Sequence, residues 1–288
     1  FVIFSLASNV SQLNLISFKP KSFLWLLLGV FFSWFSLVIN SLAWFSLISW
    51  QGHNLSRLSL VSLFLRSNLL KYLPGGVWHF IERLRKLRPH MEIGEALASV
   101  LLEPILMVVA ALALVPLGGL YSGLAIGCFL PLLLLTQQCR EPLLRRLERM
   151  KIKELRKADF ALFNPIQIDQ SESIRKGYPW KPLLIEIIFL IFRFGGFWCC
   201  LSAFSISSSL SLGEWISAFS LAWTVGLIVP GAPGGLGVFE AMLLLILGNH
   251  LSEASFIGSV LSYRIVSTTS DILIAFISAR LSFKRLFN

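Results

Sequence analysis

Pro233-Gly234-Gly235-Leu236-Gly237-Val238-Phe239 interrupts a long apolar stretch, and Pro74-Gly75-Gly76-Val77-Trp78-His79-Phe80 repeats its pattern 159 positions earlier. Proline lacks the N–H of a helix and glycine has a large backbone entropy, so each copy stops a helix. The freed backbone groups cannot face lipid, and such a break persists only beside protein or a water-filled cavity. Two matching breaks therefore predict a transport site built from internal repeats. The alternative is two ordinary turns between short spans.

The composition is typical of a polytopic helical membrane protein. The hydrophobic fraction is 56% and the mean hydropathy is +0.76, whereas soluble domains are about 45–50% apolar. The apolar runs are continuous, unlike the short alternating segments of a β-barrel. We predict an all-α fold with about six to eight membrane segments, in one integral-membrane domain over residues 1–288. The chain opens on Phe1 rather than Met, as expected of a chain that lacks an upstream piece.

The apolar runs give the positions of the predicted segments. These are residues 23–48, 58–73, 93–115, 124–135, 183–204, 215–229, 236–247 and 254–279. A span needs about 20 apolar residues, so the two segments that flank the second break are too short to cross alone. We interpret them as half-helices that meet near residues 230–235, or as a re-entrant hairpin.

Lysine and arginine collect between the apolar runs. The positive-inside rule places residues 19–21, 83–88 and 140–181, together with the C-terminus, on the cytoplasmic side. Residues 140–181 are predicted to be a basic cytoplasmic loop that signals topology, with attraction to lipid phosphate as a second role. We expect a prokaryotic plasma-membrane protein whose partner is membrane phospholipid. Basic residues confined to loops between spans argue against nucleic-acid binding.

Six ionisable residues stand out inside the apolar segments, where such residues are costly and by default face a cavity or a partner. They are Glu103, Glu186, Arg193, Glu240, Arg264 and Asp271. Arg193 follows Glu186 by seven residues, and Asp271 follows Arg264 by the same interval. Each pair then lies on one helix face about 10 Å apart, too far for a direct bond within the helix. Each pair is expected either to line a polar cavity or to pair across helices.

Glu240 is the most suggestive of these residues, because it lies five positions after Gly235 in the half-helix that follows the second break. A carboxylate near the positive end of a helix is stabilised, and it can share its site with a cationic head group. For the other carboxylates an interfacial or interhelical bond is an equal expectation. Trp78 is typical of an interface belt. Arg83 is interpreted as part of the positive-inside signal, with a phosphate contact as the alternative.

The sequence shows no catalytic constellation. It contains no His-Glu-x-x-His, no phosphate loop that ends in Gly-Lys-Ser/Thr and no Gly-x-Ser-x-Gly. Its longest polar stretch, residues 140–181, leaves no room for a soluble catalytic domain. We therefore expect no enzyme, no metal and no cofactor, although an intramembrane enzyme stays open as an alternative that no motif supports.

Three stretches resemble the integral-membrane domain of the lysylphosphatidylglycerol synthase/flippase family. They are Asn68-Leu69-Leu70-Lys71-Tyr72-Leu73-Pro74-Gly75-Gly76, Pro230-Gly231-Ala232-Pro233-Gly234-Gly235-Leu236-Gly237-Val238-Phe239-Glu240-Ala241 and Tyr263-Arg264. The resemblance covers most of the chain, and it implies movement of aminoacylated phosphatidylglycerol from the inner to the outer leaflet. Family members that also make this lipid carry an additional soluble aminoacyl-transfer domain, which this sequence does not show. Synthesis is therefore not implied.

The combined expectation is a flippase-like transporter for a phospholipid or a lipid-linked head group. Helix N-termini at the breaks would hold the phosphate, and Glu240 with Arg264 would shape head-group selectivity. The candidate transport residues are Pro74, Gly75, Gly76, Trp78, His79, Arg83, Pro233, Gly234, Gly235, Gly237, Glu240, Arg264 and Asp271. One alternative is a non-transporting membrane partner of a glycosyltransferase or another envelope enzyme. Another is an ion or small-solute carrier.

Overall fold

The computed structural model describes residues 20–73, 76–119, 127–158, 177–206, 210–229, 235, 237–248 and 253–286. Every regular element in these ranges is helical, which confirms the predicted all-α class. The α-helices are α1 (Pro20–Trp50), α2 (Arg57–Ser67), α3 (Trp78–Leu87), α4 (Ile93–Leu114), α5 (Gln137–Ala158), α6 (Trp180–Ala203), α7 (Leu212–Ile228), α8 (Val238–Leu247) and α9 (Glu253–Leu286). Short 3₁₀ segments cover Asn68–Tyr72, Val115–Gly118 and Leu130–Leu135.

Four helical stretches are long and apolar enough to cross a membrane. They are Pro20–Trp50, Ile93–Gly118, Trp180–Ala203 and Ser255–Arg280. The shortest has 24 residues and extends about 36 Å, more than the ~30 Å hydrocarbon core of a bilayer. Helices α7 and α8 are apolar but have only 17 and 10 residues, so neither crosses alone. The protein is a polytopic helical membrane protein, as the composition predicts.

The described part of the predicted crossing 124–135 differs from the expected membrane helix. Residues 120–126 lie outside the described ranges, and Leu130–Leu135 form a 3₁₀ segment with a proline in its first turn. Pro131 has no N–H to donate and its ring crowds the preceding turn. A continuous α-helix is therefore interrupted at this point.

The predicted basic loop 140–181 begins with a helix, since α5 extends to Ala158. Arg140, in the first turn of α5, is fully buried. Its Nη1 donates to the carbonyl oxygens of Leu135 at 3.1 Å and Gly177 at 2.9 Å, and its guanidinium lies 4.8 Å from the ring centroid of Trp50. Arg140 therefore links the two ends of the polar stretch, near Leu135 and Gly177, to Trp50 at the end of α1.

Helices α1 and α6 pack closely through small residues. A Cβ added to Gly196 would lie 2.5 Å from the Ser33 Oγ and 3.2 Å from the Gly29 carbonyl oxygen. Small residues allow this approach, which matters in lipid because apolar burial does not drive helices together there. Helix α9 lies against α1, α2 and α6, and the Ser270 Oγ donates to the Val30 carbonyl oxygen at 3.0 Å. The long helices therefore form one packed group.

An aromatic cluster holds the second break against this group. Phe239, the phenylalanine of the second Pro-Gly-Gly copy, is buried, with its ring centroid 5.6 Å from that of Phe219 on α7 and 5.7 Å from that of Tyr263 on α9. The backbone of the break also approaches α7 closely, since a Cβ on Gly235 would lie 3.0 Å from the Gly226 carbonyl oxygen. The motif phenylalanine and glycine thus both have packing roles.

Candidate functional site

The two breaks share a backbone feature. Gly76 and Gly235, the second glycines of the two Pro-Gly-Gly copies, have φ values of 62° and 71°, a left-handed region that other residues avoid. A ten-residue helix follows each, beginning at Trp78 and Val238. Helix α7 ends before the second break and α8 begins after it. This confirms the predicted interruption of the helix. Pro74, Gly75, Pro233 and Gly234 lie outside the described residues.

Arg264 of α9 binds the second break at two points. Its Nε donates to the Glu240 Oε1, and its Nη2 donates to the Gly235 carbonyl oxygen at 2.8 Å. The guanidinium also lies 4.9 Å from the ring centroid of Phe239. The Gly235 carbonyl belongs to an interrupted backbone, so Arg264 supplies a donor that a continuous helix would have provided.

Glu240 connects this arginine to the start of α8. Its Oε2 accepts a hydrogen bond from the Gly237 N–H at 2.7 Å, and it lies in the first turn of the helix, where a negative charge is stabilised. Gly237 allows this cap with a φ of 84°. Glu240 is therefore already bound by Arg264 and by a backbone donor. A cationic head group at this position would have to displace Arg264.

Asp271 of α9 binds the residues that immediately precede the first break. Its Oδ2 lies 2.6 Å from the Lys71 Nζ and accepts a hydrogen bond from the Tyr72 Oη at 2.6 Å. Its Oδ1 lies 4.0 Å from the Nη2 of Arg193 on α6. Asp271 is buried, so one carboxylate serves two cations and a phenol away from solvent.

Three residues of the two predicted pairs, Arg264, Asp271 and Arg193, have partners on other elements, whereas Glu186 has no hydrogen-bond partner among the described residues. Arg264 and Asp271 lie on α9 about 10 Å apart; Arg264 holds the second break and Asp271 the segment before the first. Sequence reasoning did not identify Lys71 and Tyr72 as site residues. Their position directly before the Pro-Gly-Gly pattern is the signal that would have found them.

Arg83 does not lie with the exposed basic residues of α3. It is 1% exposed, and its Nη1 donates to the Glu103 Oε2 on α4 at 2.9 Å, while its Nε donates to the Ser67 Oγ at 3.0 Å. The guanidinium lies 4.0 Å from the ring centroid of Phe64. Arg83 is therefore a buried, paired cation, and its contribution to the positive-inside signal stays a prediction. Its position four residues before the buried Leu87 places both on one helix face.

Glu186 and Arg193 complete the intramembrane charges. Glu186 is fully buried, and neither of its carboxylate oxygens has a hydrogen-bond partner among the described residues. The Nε and Nη1 of Arg193 are buried without a hydrogen-bond partner in the same part of the chain, and its guanidinium lies 5.5 Å from the ring centroid of Trp223. Arg193 interacts electrostatically with Asp271 and Tyr263, whereas the Glu186 oxygens have no hydrogen-bond donor among the described residues.

Trp78 and His79 lie in the first turn of α3. Trp78 is partly exposed, and the His79 ring centroid is 3.9 Å from that of Phe80. Within the described ranges, His, Cys, Asp and Glu side chains form no group of three or more that fits a metal ion. The chemistry of the site, as described, is that of ion pairs and backbone groups at helix ends.

A family model described as lysylphosphatidylglycerol synthase TM region matches residues 2–275. The chain belongs to this family. The match includes both breaks and the α9 residues that bind them, Arg264 and Asp271. The family model therefore covers the whole candidate site. Membership also places the chain among membrane proteins of lipid metabolism or transport. No curated protein matches the chain.

Proposed function

We propose that this protein is a flippase-like transporter that moves a phospholipid with a charged head group, of the aminoacylated phosphatidylglycerol kind, between membrane leaflets. The observation that carries the proposal is that α9 holds both helix breaks, through Arg264 at Gly235 and through Asp271 at Lys71. Interrupted helices at membrane depth are the usual way in which transporters form a substrate site. The family supports a lipid as the substrate.

The ion pairs at the breaks suit a head group that carries both charges. A phosphate is attracted to helix N-termini, and α3 and α8 both begin at the breaks. An aminoacyl ammonium can replace Arg264 at Glu240 while the lipid phosphate takes Arg264. This exchange keeps every buried charge paired, which avoids the large cost of an unpaired buried ion. Arg193, with unused Nε and Nη1 donors, is a second anchor for phosphate.

The shared backbone of the two breaks supports an internal repeat. Gly76 and Gly235 have similar positive φ values, and each precedes a ten-residue helix. In our proposal the two halves are related by inversion and the substrate passes between them near the bilayer midplane. The positive-inside rule then puts α5 and the C-terminus on the cytoplasmic side of the cell membrane. Transport in this scheme needs no covalent chemistry from the protein.

The test is lipid translocation in proteoliposomes of the purified chain. Head-group-labelled phosphatidylglycerol and its lysyl ester are compared, with wild type beside Glu240→Gln. The glutamine keeps an acceptor for the Gly237 N–H but loses the charge that pairs with Arg264. We expect lipid movement by the wild type and at least about tenfold slower movement by the variant, equivalent to ~1.4 kcal/mol.

Glu214→Gln is the matched control. Glu214 caps α7 through Ser211 in the way that Glu240 caps α8, but it lies in an exposed turn away from the breaks. We expect it to transport at the wild-type rate. No movement above empty liposomes by folded wild type would overturn the proposal. Co-purification of an envelope enzyme in stoichiometric amount would then favour a membrane scaffold.

A further inference from the structure

Glu186 is a carboxyl group without a hydrogen-bond donor in the middle of the packed helices. It lies on α6, it is 0% exposed, and both of its oxygens lack a partner among the described residues. An ionised carboxylate that is buried without donors is far more costly than the neutral acid. The position therefore favours a carboxyl group that carries its proton.

Two charged groups act electrostatically on Glu186, namely Glu103 of α4 and Arg83 of α3. These two form a salt bridge of 2.9 Å with each other, so their charges already cancel. Ionisation of Glu186 would place a second carboxylate beside a single guanidinium. The buried cluster is balanced only while Glu186 holds a proton.

The other charged groups on α6 and on the helices packed against it, α1, α4, α7 and α9, are engaged elsewhere or exposed. Glu95 faces His53, Glu214 caps α7, Arg264 binds Glu240, and Asp271 binds Lys71 and lies near Arg193; Lys21, Lys181 and Arg280 are exposed. Among the described residues, Arg83 is the cation that acts electrostatically on Glu186, whereas Arg193 lies by Asp271. An ionised Glu186 would therefore attract Arg83.

We propose that Glu186 is a proton-binding site and that its protonation state determines whether Arg83 pairs with Glu103 alone or is also attracted to Glu186. With the proton bound, Arg83 belongs to Glu103. When the O–H bond breaks, its electron pair stays on the Glu186 carboxylate and the proton passes to water. The new carboxylate then competes with Glu103 for the guanidinium.

Movement of Arg83 reaches the first break directly. Arg83 lies on α3, which begins two residues after Gly76, and its Nε is also bound to Ser67 at the end of α2. A shift of the guanidinium toward α6 therefore pulls on the helices on both sides of the break. The proton site stands on this geometry alone, whereas its coupling to lipid movement rests on the proposed function.

The first experiment is infrared spectroscopy of the purified protein in nanodiscs across a pH series. A protonated carboxyl group has a C=O stretch that is separate from the carboxylate bands. Glu148, whose pKa burial raises to about 7, would add to this band near neutral pH, so the comparison is made in a Glu148→Gln background. In that background we expect the band to be present, to be lost when Glu186→Gln is added, and to be retained when Glu214→Gln is added instead. A spectrum without the band, or a band unchanged in folded Glu186→Gln, overturns the proposal.

Glu103→Gln tests the same site without altering Glu186. It releases Arg83 from its salt bridge and lets the guanidinium stabilise an ionised Glu186. The Glu186 band is then expected to disappear at a lower pH than in wild type. If the Glu186 band disappears at the same pH in Glu103→Gln and in wild type, the proposed competition of Glu186 and Glu103 for Arg83 is overturned.

Proteoliposomes with a pH gradient separate this inference from the proposed function. We expect the gradient to change the rate of lipid movement in wild type and to have no effect in Glu186→Gln. Lipid movement that ignores the gradient in wild type overturns the coupling. No lipid movement in any variant overturns the transport function, while the infrared band still supports the proton site.

Discussion

Gly76 and Gly235 occupy the same position in the two Pro-Gly-Gly copies and adopt the same left-handed backbone, with φ values of 62° and 71°. Their surroundings differ. A Cβ on Gly76 would meet nothing within 4 Å, whereas a Cβ on Gly235 would lie 3.0 Å from the Gly226 carbonyl oxygen. The two positions therefore share a conformational requirement, and only the second also has a steric one.

Alanine at these glycines is expected to separate the two effects. Gly76→Ala should lower the free energy of unfolding by about 1–2 kcal/mol, the cost of a left-handed residue with a Cβ, and Gly235→Ala should cost more. Thermal unfolding in detergent measures both. Gly248→Ala is the control, because Gly248 has a helical φ of −58° and open space around its Cβ position. Equal losses in Gly76→Ala and Gly235→Ala would contradict the steric argument.

Arg264 and Glu240 are expected to be coupled in a double-mutant cycle. Arg264→Met leaves a buried carboxylate with only a backbone donor, so we expect a loss of about 3 kcal/mol in the free energy of unfolding. Glu240→Gln keeps an acceptor for both donors and should cost about 1 kcal/mol. The double variant should lose less than the sum, as measured by unfolding in bicelles. Additive losses would show that the pair contributes little.

Asp271→Asn is expected to destabilise the protein more than removal of one of its donors. It leaves Lys71 and Arg193 without an anion, which should cost about 3–5 kcal/mol. Tyr72→Phe removes a single hydrogen bond to a charged group and should cost about 1.5–3 kcal/mol. Unfolding of the two variants side by side checks the order, and a larger loss in Tyr72→Phe would reverse our assignment of Asp271 as the centre of the cluster.

Gly196→Ala is expected to strain the contact between α1 and α6, because its Cβ would lie 2.5 Å from the Ser33 Oγ. Overpacking of this kind costs about 1–3 kcal/mol. Ser33→Ala removes the clashing oxygen, so the combination of Gly196→Ala with Ser33→Ala should recover most of the stability. Melting temperatures of the two single variants and the double variant provide the test. A double variant no more stable than Gly196→Ala would place the strain elsewhere.

Glu148 on α5, outside the predicted spans, should make α5 pH-sensitive. Burial raises its pKa to about 7 from an ordinary value of 4.5, against an opposing effect of Arg145. The folded state thus binds more protons than the unfolded state between these values, and stability falls as the pH rises through that window. A fluorophore on Cys139, an exposed free thiol in α5, reports its unfolding. Glu148→Gln should remove the pH dependence; its persistence would assign the effect to another group.

The positions of the long helices follow from local sequence. Helices α4 and α6 begin and end within three residues of the predicted apolar runs, because a continuous apolar run has one stable structure in a membrane. The second break was predictable for the opposite reason, since proline and glycines cannot continue the helix. In residues 130–135 a 3₁₀ segment with a proline in its first turn stands where a continuous helix was expected, although α4 continues through Pro104.

The partners of the buried charges were not predictable from sequence. Arg83 belongs to a run of basic residues, and only the packing of α3 on α4 brings it to Glu103. Lys71 and Asp271 are 200 positions apart in the chain, and their contact depends on how α9 crosses the first break. Spacing within one helix shows which residues share a face, whereas the choice of partner is made by tertiary packing.

The seven-residue interval between Arg264 and Asp271 makes α9 sensitive to length. A one-residue insertion between them would lengthen the helix by only about 1.5 Å but rotate everything beyond it by about 100°. Asp271 would then face away from Lys71 while Arg264 stayed at Gly235. Insertions and deletions in this interval are therefore far more disruptive than substitutions. The length of α9 between Arg264 and Asp271 sets the rotation of one side chain relative to the other, and with it the relative placement of the two breaks.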